Sequence, residues 1–227
     1  MQIFLDTASI EEIKKALSFG VVSGVTTNPT LMSKESGASF KDTILKIAGM
    51  VPGPVSAEVT AHDAKGMISQ AMEITGWSDS DDFRDRITIK IPMTSEGTSA
   101  IKELSSRGIS TNCTLIFTPI QAMLACEAGA TFISPFVGRI DDSGLDGMAV
   151  LKDIVSVVRT NGYVSQIIAA SIRHPAHVYG AAMLGCDIAT IPLAVLEQCF
   201  KNPLTDIGIR KFDEDWKKFQ ASQAPKA

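Results

Sequence analysis

The length, composition and charge of the chain limit its function before any motif is considered. With 227 residues, 45% of them hydrophobic, the chain can bury a large core. Its formal net charge of −4 argues against nucleic-acid binding and against attraction to an acidic membrane surface. The opening segment MQIFLD (1–6) has no basic leader, and no long apolar stretch follows it, so we expect a cytoplasmic protein.

Short apolar runs alternate with amphipathic segments along the whole chain. The pattern predicts eight strands, in chain order at 2–6, 23–28, 54–60, 86–92, 110–117, 131–139, 165–173 and 186–192. Helix-like stretches lie between them, for example at 10–20, 96–108, 118–129 and 144–162. Strands that alternate with helices in this way predict an α/β fold, a (β/α)₈ TIM barrel, as a single domain over 1–227. A doubly wound open sheet is the alternative, but no GxGxxG loop follows a strand.

The last segment departs from this alternation because its apolar residues follow the eighth strand. Ile209, Phe212, Trp216 and Phe219 fall on one stripe of a helix. They predict an extra C-terminal helix at 206–220. The stripe either covers the barrel wall or docks on a neighbouring subunit, and the pattern leaves both open.

Polar residues near the strand ends are the candidates for a functional site. Residues two apart on a strand share a face, so Thr88 and Lys90 of ITIKI (87–91) point the same way, into the barrel. Barrel active sites are built at the C-terminal ends of the strands. The same alternation selects Phe4 with Asp6, Thr26 with Asn28, Ser56 with Glu58 and Thr60, Asn112 with Thr114, Ser134 with Phe136, and Ser171 with Arg173.

Lys90 is the most informative of these residues because an ammonium group in an apolar strand loses its hydration. A buried ion pair with Asp6 or Glu58 is one explanation. The other is chemical use, since burial favours the neutral, nucleophilic form of an amine, and such an amine forms Schiff bases with carbonyl substrates. Asp6 and Asn28, taken singly, also fit a helix N-cap and a turn residue.

The end of the seventh predicted strand has the composition of an anion site. Ser171 and Arg173 end that strand, and Pro175 suits the first position of the following helix. A hydroxyl, a guanidinium and a helix N-terminus predict a phosphate site there, within reach of Arg139 on strand six. We predict no metal, because His174 and His177 have no third ligand at suitable spacing.

Seven segments together identify a family resemblance. The segments FLDTA, GVTTNPTL, AEVTA, TIKIPMT, TNCTLIFT, ISPFVGR and AASIRHPAHV, in this order, resemble the small single-domain transaldolases and the related fructose-6-phosphate aldolases. The resemblance covers essentially the whole chain. It implies a Schiff-base transferase of the pentose phosphate pathway that acts on sugar phosphates without a cofactor. It also implies a homo-oligomer, a pentamer or a decamer of stacked pentamers, in which the C-terminal helix reaches across to a neighbour.

The resemblance implies roles for the matching positions. Lys90 attacks the ketose C2 carbonyl, Asp6 takes the proton of the C4 hydroxyl as the C3–C4 bond breaks, and Glu58 with Thr114 holds the catalytic water. The implied substrate-binding positions are Asn28 and Asn112 at the dihydroxyacetone unit, Ser134 and Phe136 along the pocket, and Arg139, Ser171 and Arg173 at the phosphate, with Thr26 and Ser56 close by.

Two positions distinguish the branches of the family. The aldolases carry Gln where this chain has Glu58 and Tyr where it has Phe136. A tyrosine hydroxyl would offer the bound carbanion a proton, whereas Phe136 offers none, so the resemblance favours a transaldolase over a fructose-6-phosphate aldolase. Two further classes stay open: a metal-dependent phosphosugar epimerase or isomerase on the same barrel, and a non-catalytic sugar-phosphate binding protein.

Overall fold

The computed structural model describes residues 1–35, 37 and 39–223, which form a closed barrel of eight parallel strands. Each strand pairs with the next in the chain, and the eighth pairs with the first. The strands are β1 (Gln2–Asp6), β2 (Val22–Thr26), β3 (Val55–Glu58), β4 (Ile87–Pro92), β5 (Thr111–Ile116), β6 (Phe132–Pro135), β7 (Gln166–Ala169) and β8 (Ile188–Ile191). The predicted TIM barrel is confirmed.

The helices surround the barrel, and the described residues form twelve of them. They are α1 (Ile10–Ser18), α2 (Pro29–Met32), α3 (Phe40–Met50), α4 (Ala64–Thr75), α5 (Asp81–Arg86), α6 (Ser95–Ser106), α7 (Pro119–Glu127), α8 (Val137–Asp142), α9 (Gly147–Thr160), α10 (Pro175–Met183), α11 (Leu193–Cys199) and α12 (Pro203–Gln223). Among the described residues, no helix is both long and apolar enough to cross a membrane.

Side-chain alternation along the strands divides the hydrophobic core in two. Ile89 and Ile91 belong to the main core between the strands and the helices. Phe4, Phe132, Ile168 and Ile188 form a separate buried cluster inside the barrel, here called the interior plug. The plug closes the N-terminal half of the barrel interior, so only the C-terminal half is left for chemistry.

Several predicted strands were too long, β6 and β7 most of all. β6 ends at Pro135, so Phe136 precedes α8, and Arg139 lies in α8 instead of on strand six. β7 ends at Ala169, which places Ser171 and Arg173 in the following loop. The strands stop because the chain turns: Ser171 has a φ of 57°, and the first amides of α8 donate to carbonyls of this loop. Asn28 and Thr60 likewise lie beyond the ends of β2 and β3.

The apolar stripe of the C-terminal helix α12 does not pack against the barrel wall. It runs over Pro203–Gln223, longer than the predicted 206–220, and none of its residues is buried. Phe212, Trp216 and Phe219 are each more than half exposed. Of the two alternatives for this stripe, the one in which it covers the wall of its own barrel was therefore wrong.

Candidate functional site

A layer of polar side chains covers the interior plug at the C-terminal end of the barrel. On β1 the plug residue Phe4 is followed two positions later by Asp6, and on β8 Ile188 is followed by Thr190. The layer lines a cavity of about 180 Å³. Among its lining residues are Asp6, Thr26, Asn28, Lys90, Ser134, Phe136, Arg139, Ser171, Arg173 and Thr190.

Lys90 is held at the wall of this cavity by two partners. Its side chain is almost fully buried, with Nζ 3.0 Å from Glu58 Oε2 and donating to the carbonyl oxygen of Thr27 at 2.8 Å. Glu58 stands opposite Lys90 in the register of β3 and β4, which explains why it, and not Asp6, forms the ion pair. Because an ammonium group has three donors, one remains for a ligand.

Asp6 is a carboxyl group with a raised pKa. Part of its surface is open to the cavity, but the surrounding protein desolvates the carboxyl and raises its pKa, while the charge of Lys90 and a hydrogen bond from Thr26 partly offset this effect. Thr26 Oγ1 donates to Asp6 Oδ1 at 2.9 Å and lies 2.5 Å from the hydroxyl of Thr190. The N-cap position of α1 is Ser9, so the N-cap alternative for Asp6 was wrong.

Asn28 both caps a helix and lines the cavity. Its Oδ1 accepts from the amide of Leu31 at 3.0 Å, as the N-cap of α2. Asn28 is therefore a helix N-cap and not a turn residue, and because capping uses the oxygen, its amide nitrogen stays available at the cavity.

Asn112 is fully buried and held at both ends of its amide. Its Oδ1 accepts from Ser134 Oγ at 2.7 Å, and its Nδ2 donates to Ser56 Oγ at 3.1 Å. The orientation of the amide is thus fixed by side chains of β6 and β3. Ser134 lines the cavity, whereas Ser56 does not line it and contacts Asn112 through this hydrogen bond.

Thr114 lies in an adjoining cavity of about 200 Å³ that also contacts Glu58 and Lys90. Within the described part of the chain, its buried hydroxyl has no hydrogen-bond partner. Buried polar groups are nearly always satisfied in folded proteins, so this hydroxyl is suited to bind a water molecule or a substrate oxygen. The next residue, Leu115, has a φ of 60° and lines the same cavity.

Two guanidinium groups stand on the side of the cavity formed by α8 and the loop after β7. Arg139 lies over the ring of Phe136, with Cζ 5.1 Å from the ring centroid. Arg173 Nη2 is 2.8 Å from Asp142 Oδ2, in an exposed ion pair. Gly138 permits the close approach of these segments, because a Cβ there would stand 2.2 Å from the carbonyl oxygen of Ser171.

Sequence reasoning missed several residues of the site, among them Thr190 and Leu115. The alternation that selected Lys90 also points Thr190 inward on β8, and it could have found this residue. Leu115 gave no signal, because nothing in a local sequence marks a leucine for a left-handed backbone.

Comparisons with known proteins agree with this geometry. The family model described as Transaldolase/Fructose-6-phosphate aldolase matches residues 3–223. Proteins named probable transaldolase from Roseiflexus sp. (strain RS-1) and Petrotoga mobilis (strain DSM 10674 / SJ95) are 52% and 51% identical over 220 residues. These matches cover 97% of this chain and 99% and 96% of the two relatives.

A solved structure of lower similarity shares the fold alone. A chain described as a lactate oxidase of Pediococcus acidilactici superposes with a TM-score of 0.57 at 16% identity, over 84% of this chain and 62% of that chain. The family match over nearly the whole chain and the half-identical relatives are far more specific than this. The chain therefore belongs to the transaldolase/fructose-6-phosphate aldolase family.

Proposed function

We propose that this enzyme is a transaldolase of the pentose phosphate pathway that works through a Schiff base on Lys90. It transfers a dihydroxyacetone unit from a ketose phosphate, fructose 6-phosphate or sedoheptulose 7-phosphate, to an aldose phosphate. The observation that carries the proposal is the buried Lys90, paired with Glu58 at a cavity that also contains two arginines. The relatives named probable transaldolase support the transferase branch.

Imine formation is assigned to Lys90, Glu58 and Thr114. The amine must lose a proton before its lone pair attacks the C2 carbonyl, and the Glu58 carboxylate at 3.0 Å is placed to accept that proton. The carbonyl oxygen then leaves as water. Glu58 and the unpaired hydroxyl of Thr114 line one cavity with Lys90, which suits them to hold this water and to return it for hydrolysis.

Carbon–carbon cleavage is assigned to Asp6. Its carboxylate takes the proton of the C4 hydroxyl, the electron pair of the C3–C4 bond moves to the protonated imine, and the aldose phosphate leaves. The raised pKa of Asp6 favours this proton transfer because the carboxylate becomes a stronger base. The imine nitrogen accepts the electrons, so the proposed reaction uses no cofactor. Addition of the enamine to a second aldose phosphate reverses these steps.

Substrate binding follows from the remaining groups of the cavity. Asn28, and Asn112 with the Ser134 hydroxyl that it orients, are proposed to bind the dihydroxyacetone hydroxyls. Arg139, Ser171 and Arg173 are proposed to bind the phosphate, since guanidinium groups form charge-assisted hydrogen bonds with it. Thr26 positions Asp6 through its 2.9 Å hydrogen bond.

Borohydride trapping tests the Schiff base. The protein is incubated with fructose 6-phosphate, reduced, digested and mapped by mass, with Lys90→Arg as a control that retains the positive charge. An adduct of dihydroxyacetone size on the peptide that contains Lys90 is the expected result. A wild-type protein that binds the sugar phosphate but yields no adduct would make Lys90 a structural lysine and favour the non-catalytic binding protein.

Acceptor dependence separates the two branches of the family. With fructose 6-phosphate as donor, a transaldolase releases glyceraldehyde 3-phosphate only when erythrose 4-phosphate is present to accept the dihydroxyacetone unit. Substantial release without an acceptor would reject the transferase in favour of the aldolase.

We also propose that residues 1–227 act as one domain in a cytoplasmic homo-oligomer, a pentamer or a decamer of stacked pentamers. The exposed stripe of α12 supports this, because Phe212, Trp216 and Phe219 are each more than half exposed. Size-exclusion chromatography of a chain cut before Asp206 is expected to show a smaller assembly. An unchanged assembly would rule out α12 as the contact.

A further inference from the structure

Helix α8, which carries Arg139, is attached at its first turn to the loop that carries Ser171 and Arg173. The amide of Val137 donates to the carbonyl oxygen of Ala170 at 3.0 Å, and the amide of Gly138 donates to that of Ser171 at 3.0 Å. These two bonds fix the N-terminal end of a helix of six residues. The C-terminal part of α8 is held by other contacts, among them the burial of Ile140.

His177 of α10 supplies a further attachment near the end of α8. Its ring is buried, with Nε2 3.1 Å from Asp141 Oδ2 near the end of α8. Its Nδ1 accepts from the backbone amide of Arg173 in a long hydrogen bond of 3.4 Å. The other carboxylate oxygen of Asp141 accepts from the amide of Gly147 at 2.8 Å, which fixes the acceptor as well. One imidazole therefore connects the helix of Arg139 to the backbone of Arg173.

The bonding pattern requires a neutral ring. Nδ1 must be unprotonated to accept from Arg173, so the ring proton resides on Nε2 and is donated to Asp141. Burial lowers the pKa of His177, and His174 and Arg173 lower it further, although Asp141 acts in the opposite direction. Asp142 adds an exposed ion pair to the side chain of Arg173, but such a pair contributes little because water competes for both partners.

We propose that His177, held by Asp141, is a positioning residue that fixes the spacing of Arg139 and Arg173 and so pre-forms the phosphate site. This inference rests on the proposed role of the two arginines. A site that is already spaced for its anion avoids the cost of ordering two long side chains at the moment of binding. Loss of the bridge should therefore weaken the binding of phosphorylated substrates more than that of unphosphorylated ones.

Two substitutions each remove one half of the bridge. His177→Asn keeps an acceptor near the position of Nδ1 but does not reach Asp141, and His177→Gln keeps a donor near Nε2 but lacks the acceptor for Arg173. We expect each to raise the KM for erythrose 4-phosphate, relative to the KM for erythrose, by about three- to tenfold, the worth of one hydrogen bond. Inhibition by inorganic phosphate should weaken by a similar factor.

Asp141→Asn tests the same bridge without altering the buried ring. An amide nitrogen facing Nε2 would favour the other tautomer, whose Nδ1–H opposes the amide of Arg173. We expect the same shift in the KM ratio, and a changed His177 tautomer in nitrogen-15 spectra. Ser165→Ala is the matched control: the buried Ser165 hydroxyl donates to the carbonyl oxygen of Ala130 at 2.6 Å, outside the site. It should lower the Tm and leave the ratio unchanged.

Three results would decide against the inference. If KM rises equally for erythrose and erythrose 4-phosphate while folding is weakened, His177 is merely structural. If the KM ratio is unchanged in all three variants, the spacing of the two arginines does not depend on His177. Arg173→Ala, run in parallel, isolates the underlying assumption. If that variant leaves phosphate inhibition and the KM ratio unchanged, the proposed phosphate site itself is wrong. If it alters them and the His177 and Asp141 variants do not, only the positioning role fails.

Discussion

The interior plug and the polar layer above it lie inside the same barrel. On a given strand, the residue in the layer comes two positions after the residue in the plug. Phe4 packs in the plug and Asp6 stands in the layer, and Phe132 and Ser134 have the same relation on β6. The plug is apolar, whereas the layer consists largely of polar side chains, several of which bond to one another, as Thr26 does with Asp6 and Thr190. The comparison teaches that alternation selects the interior face, while the distance from the strand end decides between packing and chemistry.

The plug is stabilised by apolar packing, and the layer by hydrogen bonds and an ion pair. In the plug, the ring of Phe4 fits against Gly24, where a Cβ would stand 2.6 Å from the ring. In the layer, Asn112 forms hydrogen bonds with Ser134 and Ser56, and Lys90 forms an ion pair with Glu58. A change in the plug should therefore affect the free energy of unfolding first, and a change in the layer should affect turnover first.

The largest effect is expected from Lys90→Met in the layer. Turnover of fructose 6-phosphate with erythrose 4-phosphate should fall by about a thousandfold or more, because the covalent route is lost. Glu58 would lose its cation, so the double variant Lys90→Met with Glu58→Gln is the control for stability. We expect it to unfold at the wild-type urea concentration or above and to remain inactive. Residual transfer close to wild type would contradict the assignment of Lys90.

Next in size is Phe4→Ala in the plug. It should lower the free energy of unfolding by about 3–5 kcal/mol, as other buried phenylalanine truncations do. Urea titration measures this, with exposed Val164→Ala as the control that should change it by about 0.5 kcal/mol at most. The folded fraction should retain its turnover. A stable but inactive Phe4→Ala protein would remove the distinction between the two regions.

Asp6→Asn should change activity and stability in opposite directions. Turnover should fall by about a hundredfold with the loss of the acid/base group. Burial raises the pKa of Asp6 above its ordinary 3.8, so the ionised form is disfavoured in the fold. The variant should therefore be more stable than wild type at neutral pH, and this gain should shrink as the pH falls and vanish below about pH 3.8, where Asp6 is protonated in both states.

Thermal unfolding of the Asp6→Asn protein and the wild type across this pH range measures the difference. Thr26→Val is a useful companion, because it removes the hydrogen bond to Asp6 without removing the carboxyl. A variant that is less stable than wild type at neutral pH would mean that the ion attraction to Lys90 outweighs the burial of Asp6.

The smallest effect is expected from Phe136→Tyr at the rim of the layer. The added hydroxyl gives the enamine one more source of a proton, so the ratio of cleavage to transfer should rise, by about tenfold at most. The edge contact between the rings of Phe117 and Phe136, with centroids 5.9 Å apart, is retained, so the Tm should not change. Assays with and without acceptor give the ratio, and an unaltered ratio would count against the proton-route argument.

Most of the fold was predictable because the hydrophobic period is a local property. All eight strands lie at or near their predicted positions, and alternation placed Lys90 and Asn112 on the inner face, where they are buried among polar partners. Prediction failed where the chain leaves the extended conformation. Ser171 reverses the backbone at a φ of 57°, and Arg139 is carried by a helix, so period two had no meaning for either.

Partner choice inside the site was less accessible to sequence. An ion pair with Asp6 or Glu58 was one explanation of the buried Lys90, and the register of β3 and β4 decided for Glu58. The unpaired hydroxyl of Thr114 and the bridge through His177 depend on contacts between segments far apart in the chain. Such contacts follow from the closed barrel and not from any local pattern.

The narrow approach at Gly138 also limits how this enzyme can evolve. Any side chain at this position would meet the carbonyl oxygen of Ser171 at 2.2 Å and the side chain of Arg173 at 2.7 Å. A substitution of Gly138 therefore cannot change the separation between α8 and the loop after β7 by a small amount. Point mutations that alter substrate preference are therefore expected among the side chains at the rim of the cavity and not at Gly138.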